Sequence, residues 1–377
     1  MLQKHRQWRI VHTESEIGWG GQEHRILAEL TGFQKRGCDV HLLVTPRGKL
    51  FDRAQQAGIP THPLRVFKKE MPLSILQTFF WLRRHRVDVL NTHSSRDSWI
   101  AAVAGRLARV PLIIRTRHID VTYPNRWLSR HAYATFADHV MTTSDKITAH
   151  FREYFRLSPE RVSTIPTGID LNRFSSNGEK AALLPTGDDS TVPIIGMVCV
   201  LRGWKGHRTF LEAAKILKES GFRARFVMVG EGSALPSVTA LIEQSNLTGY
   251  AFGLGHRDDV TAVLRALSVL VIPSTANEGI PQIGLQALAC RTPAVGSDVG
   301  GTPEIIKPGE TGRIFPAGNA AALVGAIRET LADREATERM VEQGARDVAA
   351  RHSLDAMLDQ IEAIYSHYLR SHPPNEH

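Results

Sequence analysis

The sequence predicts an α/β protein with two Rossmann-like domains, each a doubly wound parallel sheet. Short apolar runs of strand length alternate with segments whose apolar residues recur at helical spacing, which is typical of βαβ folds. The 377 residues are long for a single core and favour two domains. A hydrophobic content of 42% and a charged content of 22% are ordinary for a globular protein. No apolar run approaches the ~18 residues of a membrane span.

The stretch from Val269 to Glu304 is the clearest βαβ unit in the chain. Val269–Ile272 is an apolar run short enough for a strand buried on both faces, helical spacing begins at Ile283, and the next strand arrives at Pro293. The loop between the first strand and the helix lies outside the carboxyl ends of the strands, where open α/β sheets bind ligands. We therefore expect a binding site in this loop.

The residues of this loop suit a phosphate group. In the run Gly279-Ile280-Pro281, the glycine lets the backbone approach a ligand and the proline suits a first helical turn. The N–H groups that such a turn exposes form an anion site. Glu278 supplies an acceptor at the mouth of the loop, and Gln286 is a second polar group along the helix.

Strands and helices also alternate in the first half of the chain. Strands are predicted over 9–12, 39–44, 87–90, 110–114, 138–144 and 162–166, with a helix from His24 to Gly37 after the pair Gly20-Gly21. That glycine pair is either a tight strand-to-helix turn or a loop that faces a ligand. Polar residues follow the ends of two strands and are binding candidates: His93, Arg115, Arg117 and His118. Arg115 and Arg117 are interpreted as anchors for an anionic acceptor or as solvated loop cations.

The segment Met71–Arg86 has two interpretations. Its apolar residues fall at helical spacing on one face, which favours an ordinary helix packed on the sheet. Lys68-Lys69 precede it and Arg83, Arg84 and Arg86 end it, so an interfacial helix that meets lipid phosphates is the alternative.

Charge and cysteine content restrict the function classes. Residues 1–175 carry a net charge of +12 and the remainder −4, so the first half is expected to meet an anionic partner. No nucleic-acid motif accompanies this charge, and an anionic membrane surface or a phosphorylated glycolipid fits better. The three cysteines, widely spaced and without a C-x-x-C pair, fit a reducing cytosol. The N-terminus lacks the pattern of a signal peptide.

The second half opens after a polar stretch rich in Gly and Pro. We predict a first domain over 1–175, a linker over 176–192, a second domain over 193–352 and a last helix over 353–370. Arg202 and Lys205 follow the strand that begins at Ile194 and form either a phosphate-binding pair or a basic surface turn. Asp258-Asp259 open a helix, where acids cap, and are not a convincing metal site.

Several of these motifs together resemble the GT4-type retaining glycosyltransferases, over roughly residues 9–365. The resemblance is carried by four motifs: Glu278 and Gln286 with seven residues between them, Gly300-Gly301-Thr302-Pro303-Glu304, Lys205-Gly206, and the run Pro166-Thr167-Gly168-Ile169-Asp170. Three departures from the family pattern are Gln286, where the family has Glu, Val200, where it has Arg, and Thr167, where it has Asn. The resemblance implies the GT-B fold, with two Rossmann-like domains facing a central cleft.

The resemblance also implies a role for each candidate residue. Lys205 and Arg202 would contact a donor diphosphate, Glu278 the donor-sugar hydroxyls, Gln286 the ribose and His118 the sugar. The remaining donor-binding candidates lie in glycine loops and turns: Gly20, Gly21, Gly230, Gly255, His256, Gly279, Ile280 and Pro281. His93, Arg115 and Arg117 are weaker candidates for acceptor binding. The resemblance implies no metal and no cofactor, with a nucleotide sugar, most simply a UDP-sugar, as co-substrate.

We expect a glycosyltransferase that acts on a saccharide or lipid-linked saccharide of lipopolysaccharide or exopolysaccharide assembly, in the cytosol and peripherally at the inner membrane. Two alternatives remain open. A UDP-sugar 2-epimerase shares the fold but would need acidic groups near C2 of the sugar. A catalytically silent binding module would account for Gln286 and Val200.

Overall fold

The computed structural model describes residues 8–66, 70–118, 130–185, 191–232 and 238–370. The chain divides into two compact units. The first comprises the described residues up to Gly168 together with those from Leu354 onward, and the second spans Ile169–Ser353. Lys68, Lys69, part of the predicted linker and the residues after 370 lie outside the described part of the chain.

The first unit is a seven-stranded parallel sheet with the order β3-β2-β1-β4-β5-β6-β7. Its strands are β1 Arg9–Glu14, β2 Asp39–Val44, β3 Thr61–Pro63, β4 Val89–Thr92, β5 Leu112–Arg117, β6 His139–Thr142 and β7 Val162–Thr164. Its described α-helices are α1 Gly21–Lys35, α2 Lys49–Gln56, α3 Met71–Arg84, α4 Ser95–Ala108 and α5 Asp145–Phe155, with a π-helical turn over His131–Thr135. The chain reverses its direction across the sheet between β1 and β4, so ligands are expected at the carboxyl ends of those two strands.

The second unit is a six-stranded parallel sheet with the order β10-β9-β8-β11-β12-β13. Its strands are β8 Ile194–Val198, β9 Arg225–Val229, β10 Ala251–Gly255, β11 Val269–Ile272, β12 Ala294–Ser297 and β13 Arg313–Phe315. Its helices are α6 His207–Glu219, α7 Val238–Gln244, α8 Val260–Ala266, α9 Gln282–Ala289, α10 Thr302–Ile305, α11 Ala320–Ala332 and α12 Arg334–Arg351. Here the reversal falls between β8 and β11. The prediction of two doubly wound, Rossmann-like units is confirmed.

The central strands of the second sheet, β8 and β11, are almost wholly apolar because core residues pack on both faces of that sheet. Every residue of β11 is buried. One core of the second unit holds Phe210 and Phe226, whose ring centroids lie 5.2 Å apart, and Leu270 on the other face belongs to a second core. Burial of the sheet on both faces leaves only the strand ends open for polar side chains.

The last helix, α13 Leu354–Arg370, belongs to the first unit. Tyr365 is fully buried and stacks on Phe33 with a centroid distance of 5.3 Å, while Arg36 pairs with Asp359 and Glu362 at 2.8 Å. The division between the units falls after Gly168, seven residues before the predicted end of the first domain. The physical reason is that the chain after Gly168 is held by the second unit, where it pairs with residue 353 and contributes to that unit's core.

Helix α3 buries one face and exposes another apolar face. Phe79 and Leu82 pack into the first unit's core, whereas Leu76 and Phe80 are 50% and 62% exposed. The expectation of an ordinary helix packed on the sheet holds for Phe79 and Leu82 but not for Leu76 and Phe80, because positions 76 and 80 lie about 60° to 160° away from 79 and 82 around the helix axis. No helix in the described ranges has both the length and the apolar character to cross a bilayer.

Candidate functional site

The second unit places its candidate residues at the reversal point of its sheet. Lys205 ends a 3₁₀ turn, Gly203–Lys205, which follows β8, and Glu278 lies in the loop that follows the neighbouring strand β11. The two loops are joined by a hydrogen bond from the Thr275 N–H to the Trp204 carbonyl oxygen, 2.7 Å long. Residues 73 positions apart in sequence therefore meet at one edge of the sheet.

Lys205 and Glu278 form a bidentate ion pair. The Lys205 ammonium donates to Glu278 Oε1 at 2.9 Å and to Oε2 at 2.8 Å. Ser274 Oγ donates to the same Oε2 at 2.7 Å, and Ser297 Oγ donates to the Ser274 carbonyl oxygen at 2.6 Å. Glu278 is only 7% exposed, whereas the Lys205 side chain keeps 21% of its surface in solvent. The carboxylate is thus held in place while the ammonium stays accessible to an anion.

The backbone around Glu278 is packed too closely for side chains. Asn277, directly before it, has a φ of 54°, a left-handed conformation that asparagine tolerates better than most residues. Gly300 has a φ of 60°, and a Cβ built there would lie 1.9 Å from the Glu278 carbonyl oxygen. At Gly206, next to Lys205, a Cβ would lie 1.7 Å from the Pro273 carbonyl oxygen. These contacts fix the loop that carries the ion pair.

Helix α9 begins at Gln282, directly after Pro281. Pro281 is the N-cap, with an extended conformation (φ −71°, ψ 112°), so the prediction that it occupies the first helical turn is wrong. The proline ring locks φ at a value that is common to extended and helical residues, so ψ alone decides whether the residue is helical. No side chain caps the helix, and Gly279 accepts a hydrogen bond from the Gly301 N–H at 3.2 Å. Ile280 is buried and Gln286 is half-buried on the helix.

Arg202, in the same turn, contacts an aromatic ring. Its side chain is exposed and its guanidinium lies 5.4 Å from the Trp204 ring centroid, a cation–π contact. His207, two residues after Lys205, is buried, with its Nε2 3.9 Å from the Cys199 sulfur. Burial first, and then the Lys205 charge, lower the pKa of His207 to about 4. His207 is therefore a neutral, structural neighbour of the lysine.

The other glycine loops of the second unit lie at the ends of β9 and β10. Gly230 has a φ of 133°, a Cβ there would meet the Cys199 carbonyl oxygen at 1.8 Å, and its N–H donates to the Gly255 carbonyl oxygen at 2.8 Å. His256 is half-exposed beside Asp258, at 3.4 Å. Asp259 is the N-cap residue of α8, but its carboxylate binds Arg257 at 2.6 Å instead of the helix amides. The capping role expected for this acid is therefore wrong, because the guanidinium is a stronger donor. In the described ranges no set of three His, Cys, Asp or Glu side chains is placed to hold a metal ion.

The first unit collects buried histidines at the reversal point between β1 and β4. His93 Nε2 lies 3.0 Å from His12 Nδ1, and His93 Nδ1 lies 3.0 Å from His118 Nε2. We call His12, His93 and His118 the histidine chain. Burial is the main cause of the lowered pKa of all three, to about 4 for His12 and well below the usual value for the others. The candidates His93 and His118 are thus brought together, with a third member that sequence reasoning missed.

A buried carboxyl pair lies beside the histidine chain. Glu14 accepts from the N–H groups of residues 15 and 16 and from the side chains of Gln22 and Ser94. Asp97 accepts from Thr13 Oγ1 at 2.6 Å and from the His93 N–H at 3.1 Å. Burial raises the pKa of both carboxyls, and the charge of Asp97 raises that of Glu14 further. Their positions in the sequence could have identified them, since Glu14 is the last residue of β1 and Asp97 lies in the first turn of α4.

Arg115 and Arg117 lie inside β5 and are 3% and 9% exposed. The interpretation of these residues as solvated loop cations is wrong, because β5 runs three residues further than its apolar pattern indicated. Arg115 donates to the Ser94 carbonyl oxygen and lies over the Tyr133 ring at 5.3 Å. Gly20 is the extended N-cap of α1, and its N–H donates to Glu23 at 2.8 Å, while Gly21 opens the helix.

The protein has one seven-stranded and one six-stranded sheet, each built of parallel strands. Each sheet carries candidate polar residues where the strand order reverses. These features define a two-unit Rossmann-like protein of the GT-B class. The chain belongs to the GT4-type glycosyltransferases. The model of "Glycosyltransferase Family 4" matches residues 19–173, and that of "Glycosyl transferases group 1" matches residues 185–347.

Individual relatives agree with this assignment. The chain is 24% identical over 354 residues to the UDP-Gal:alpha-D-GlcNAc-diphosphoundecaprenol alpha-1,3-galactosyltransferase of Escherichia coli, with 89% of this chain and 90% of that protein covered. A glycosyltransferase from Rickettsia africae superposes with a TM-score of 0.84 at 20% identity, over 97% of this chain and all of that one. Anabaena HepE in complex with UDP and glucose superposes with a TM-score of 0.81 at 17% identity, over 96% and 100%. The protein is a glycosyltransferase.

Proposed function

We propose that the protein transfers a sugar, with retention of anomeric configuration, from a UDP-sugar to a saccharide or lipid-linked saccharide acceptor of lipopolysaccharide or exopolysaccharide assembly. The observation that carries the proposal is the Lys205–Glu278 ion pair at the carboxyl ends of β8 and β11. An ammonium and a carboxylate at one sheet edge match the two parts of a nucleotide sugar, an anionic diphosphate and a neutral ring of hydroxyl groups. The E. coli relative's name specifies UDP-galactose and a diphosphoundecaprenol-linked acceptor, which supports this donor and acceptor class.

In this proposal Lys205 turns from Glu278 to the diphosphate, helped by the positive end of the α9 helix dipole. Arg202 swings from Trp204 to the same phosphates. The Glu278 carboxylate stays in place because Ser274 continues to donate to it, and it then accepts from donor-sugar hydroxyl groups. Gln286 binds the ribose, and His118 contacts the sugar.

The chemical step breaks the bond between the anomeric carbon and the diphosphate oxygen, and UDP leaves with both electrons. The acceptor hydroxyl oxygen bonds to the anomeric carbon from the same face, and its proton passes to the leaving phosphate oxygen. Lys205 and Arg202 stabilise the charge on the departing diphosphate, so we propose that the reaction needs no metal and no cofactor. Loss of one such electrostatic contact typically costs about 3–4 kcal/mol in the transition state.

The apolar face of α3 is proposed to rest on an anionic membrane at its cytoplasmic side. Leu73, Leu76 and Phe80 are 49%, 50% and 62% exposed, and the helix has Arg83 and Arg84 in its last turn. An apolar face flanked by cations is the pattern of a helix lying in the lipid interface. A lipid-linked acceptor would be reached from this position.

The proposal is tested by offering a panel of UDP-sugars and polyprenyl-diphosphate saccharides to the protein and measuring UDP release and product mass. Calorimetry with UDP gives the affinity. We expect Lys205→Met to weaken UDP binding and to lower turnover by about 100- to 1000-fold. Lys215→Met is the matched control, since that lysine is exposed on α6 and its one ion pair within the described ranges is with Glu219, at 3.9 Å. Absence of UDP binding in the unaltered protein would refute the proposal, and binding without turnover would favour a catalytically silent module.

A further inference from the structure

The histidine chain ends at a buried ion pair on helix α1. His12 Nε2 lies 3.9 Å from Glu29 Oε2, and both atoms are fully buried and make no hydrogen bond among the described residues. Glu29 Oε1 accepts from Arg25 Nε at 2.6 Å. The Arg25 guanidinium also donates to the Ile165 carbonyl oxygen at 2.6 Å. Three imidazoles, one in β1 and the others directly after β4 and β5, are thus lined up behind a carboxylate.

Only two arrangements of protons satisfy this chain when all three rings are neutral. A neutral imidazole has one N–H and one lone pair, so each ring donates at one end and accepts at the other. Either every ring is protonated on Nε2 and the bonds run from His118 to His12, or every ring is protonated on Nδ1 and they run the opposite way. Burial keeps the rings neutral by lowering the pKa of each.

We propose that Glu29 is a positioning residue that selects the first arrangement, with the proton of each ring on Nε2, so that His118 presents the Nδ1 lone pair to a ligand. Glu29 forms a fully buried ion pair with Arg25 at 2.6 Å, and an ionised carboxylate can only accept. Its Oε2 therefore attracts a proton on the facing nitrogen of His12. At 3.9 Å the contact is too long for a hydrogen bond, and the preference is electrostatic, strengthened by complete burial.

The consequence lies at the outer end of the chain. His118 is 9% exposed, its Nε2 is used by His93, and its Nδ1 has no hydrogen-bond partner among the described residues. In the selected arrangement Nδ1 accepts and cannot donate. His118 then recognises a hydroxyl group of a substrate and rejects a phosphate oxygen, which has no proton to give at neutral pH. This consequence rests on the proposed glycosyl transfer, whereas the proton arrangement does not.

The test is nitrogen NMR of the full-length protein with ¹⁵N-labelled histidine, because protonated and unprotonated ring nitrogens have well-separated shifts. The signals are assigned with His12→Asn, His93→Asn and His118→Asn. We expect all three rings of the unaltered protein as the Nε2–H tautomer from pH 6 to pH 8. The Nδ1–H tautomer of His118 would overturn the proposal. It would point to Arg25 as the group that determines the proton arrangement in the histidine chain.

Glu29→Gln makes the test specific to the carboxylate. A glutamine at 29 can donate to His12 Nε2, so we expect the population of the Nδ1–H tautomer of His118 to rise at least tenfold. Glu23→Gln is the matched control, since Glu23 is also a buried acid of α1 but binds the Gly20 N–H. An unchanged His118 tautomer in a folded Glu29→Gln protein would overturn the proposal. If that variant does not fold, the tautomers of the unaltered protein decide the question. No substrate is used, so these results do not depend on the proposed function.

Discussion

The Lys205 ammonium donates to both carboxylate oxygens of Glu278, at 2.9 and 2.8 Å, across 73 residues of sequence. Ser274 gives the carboxylate a third donor, whereas the lysine is the more exposed partner. An arriving diphosphate therefore competes with Glu278 for Lys205, and the two partners make different contributions to binding and to turnover. The competition can be measured.

Glu278→Gln removes the charge that holds Lys205 while it keeps the shape of the side chain. We expect UDP to bind as tightly as before or more tightly, because the ammonium no longer has to leave a carboxylate. Turnover of a UDP-sugar should fall by about 100-fold, since the amide accepts sugar hydroxyls less strongly. UDP calorimetry and initial rates measure the two effects. A Glu278→Ala protein with full turnover would remove Glu278 from its proposed role.

Gln286→Glu tests the departure from the family pattern on α9. A carboxylate accepts hydroxyl donors more strongly than an amide does, so the affinity for UDP should stay the same or rise by up to about tenfold. Uridine and UDP are titrated in parallel, because a ribose contact affects both ligands alike. A large loss of UDP affinity with no loss for uridine would show that position 286 lies near the phosphates instead.

Gly300→Ala tests the tight backbone packing beneath Glu278. The left-handed φ alone costs an alanine about 1 kcal/mol, and the 1.9 Å approach to the Glu278 carbonyl oxygen forces the loop to move. We expect a lower free energy of unfolding, by about 2 kcal/mol or more, together with weaker UDP binding. Gly309→Ala is the control, because Gly309 has a φ of 75° but no atom within 4 Å of the built Cβ. Equal losses in the two variants would contradict this account.

The stability of the protein should fall as the pH is lowered from 6.5 towards 4. Burial lowers the pKa of His12 and His139 to about 4, whereas unfolded histidine titrates near 6.5. Because the pKa is lowered in the folded state, the stabilisation from a buried neutral histidine is complete above pH 6.5. It is lost below that pH, as the unfolded chain takes up protons. Each such histidine is worth about 3 kcal/mol over this range. The raised pKa values of Glu14 and Asp97 act in the opposite direction, because their stabilisation is lost as the pH rises. The histidines prevail in number, since burial lowers the pKa of His207 and His352 to about 4 as well.

Urea unfolding between pH 5 and pH 8 measures this dependence. His139→Gln should flatten the slope on the acid side, since His139 is buried between Ser163 and Tyr368. A slope that His139→Gln does not alter would contradict the assignment.

Leu76→Glu should weaken binding to vesicles that contain phosphatidylglycerol by about tenfold or more, because it removes exposed apolar area and adds a negative charge to α3. Gln77→Glu adds the same charge at a neighbouring exposed position and removes no apolar side chain. Cosedimentation at low and high salt separates the two contributions. If both variants lose binding equally, the attraction is one of charge alone, and no binding by the unaltered protein would refute membrane docking by α3.

Most of the architecture followed from local pattern. The apolar run Val269–Ile272 and the helical spacing after it predicted β11 and α9, since such periodicity reflects burial on two faces or on one. The predictions were wrong at the ends of elements, whose positions the local sequence pattern does not determine. Arg115 and Arg117 extend β5 because pairing with β6 continues past the apolar residues. Pro281 fits a cap and a first turn equally well in φ, and only its ψ separates them.

The sequence by itself determined the two α/β units, the family and the candidates Lys205, Glu278 and His118, because each of these depends on residues close together in the chain. Only the tertiary structure decided which side chains meet. The Lys205–Glu278 pair and the chain from Glu29 through His12 and His93 to His118 arise because the order of strands in each sheet brings distant strand ends side by side. That order is set by packing over the whole unit, and no local pattern records it.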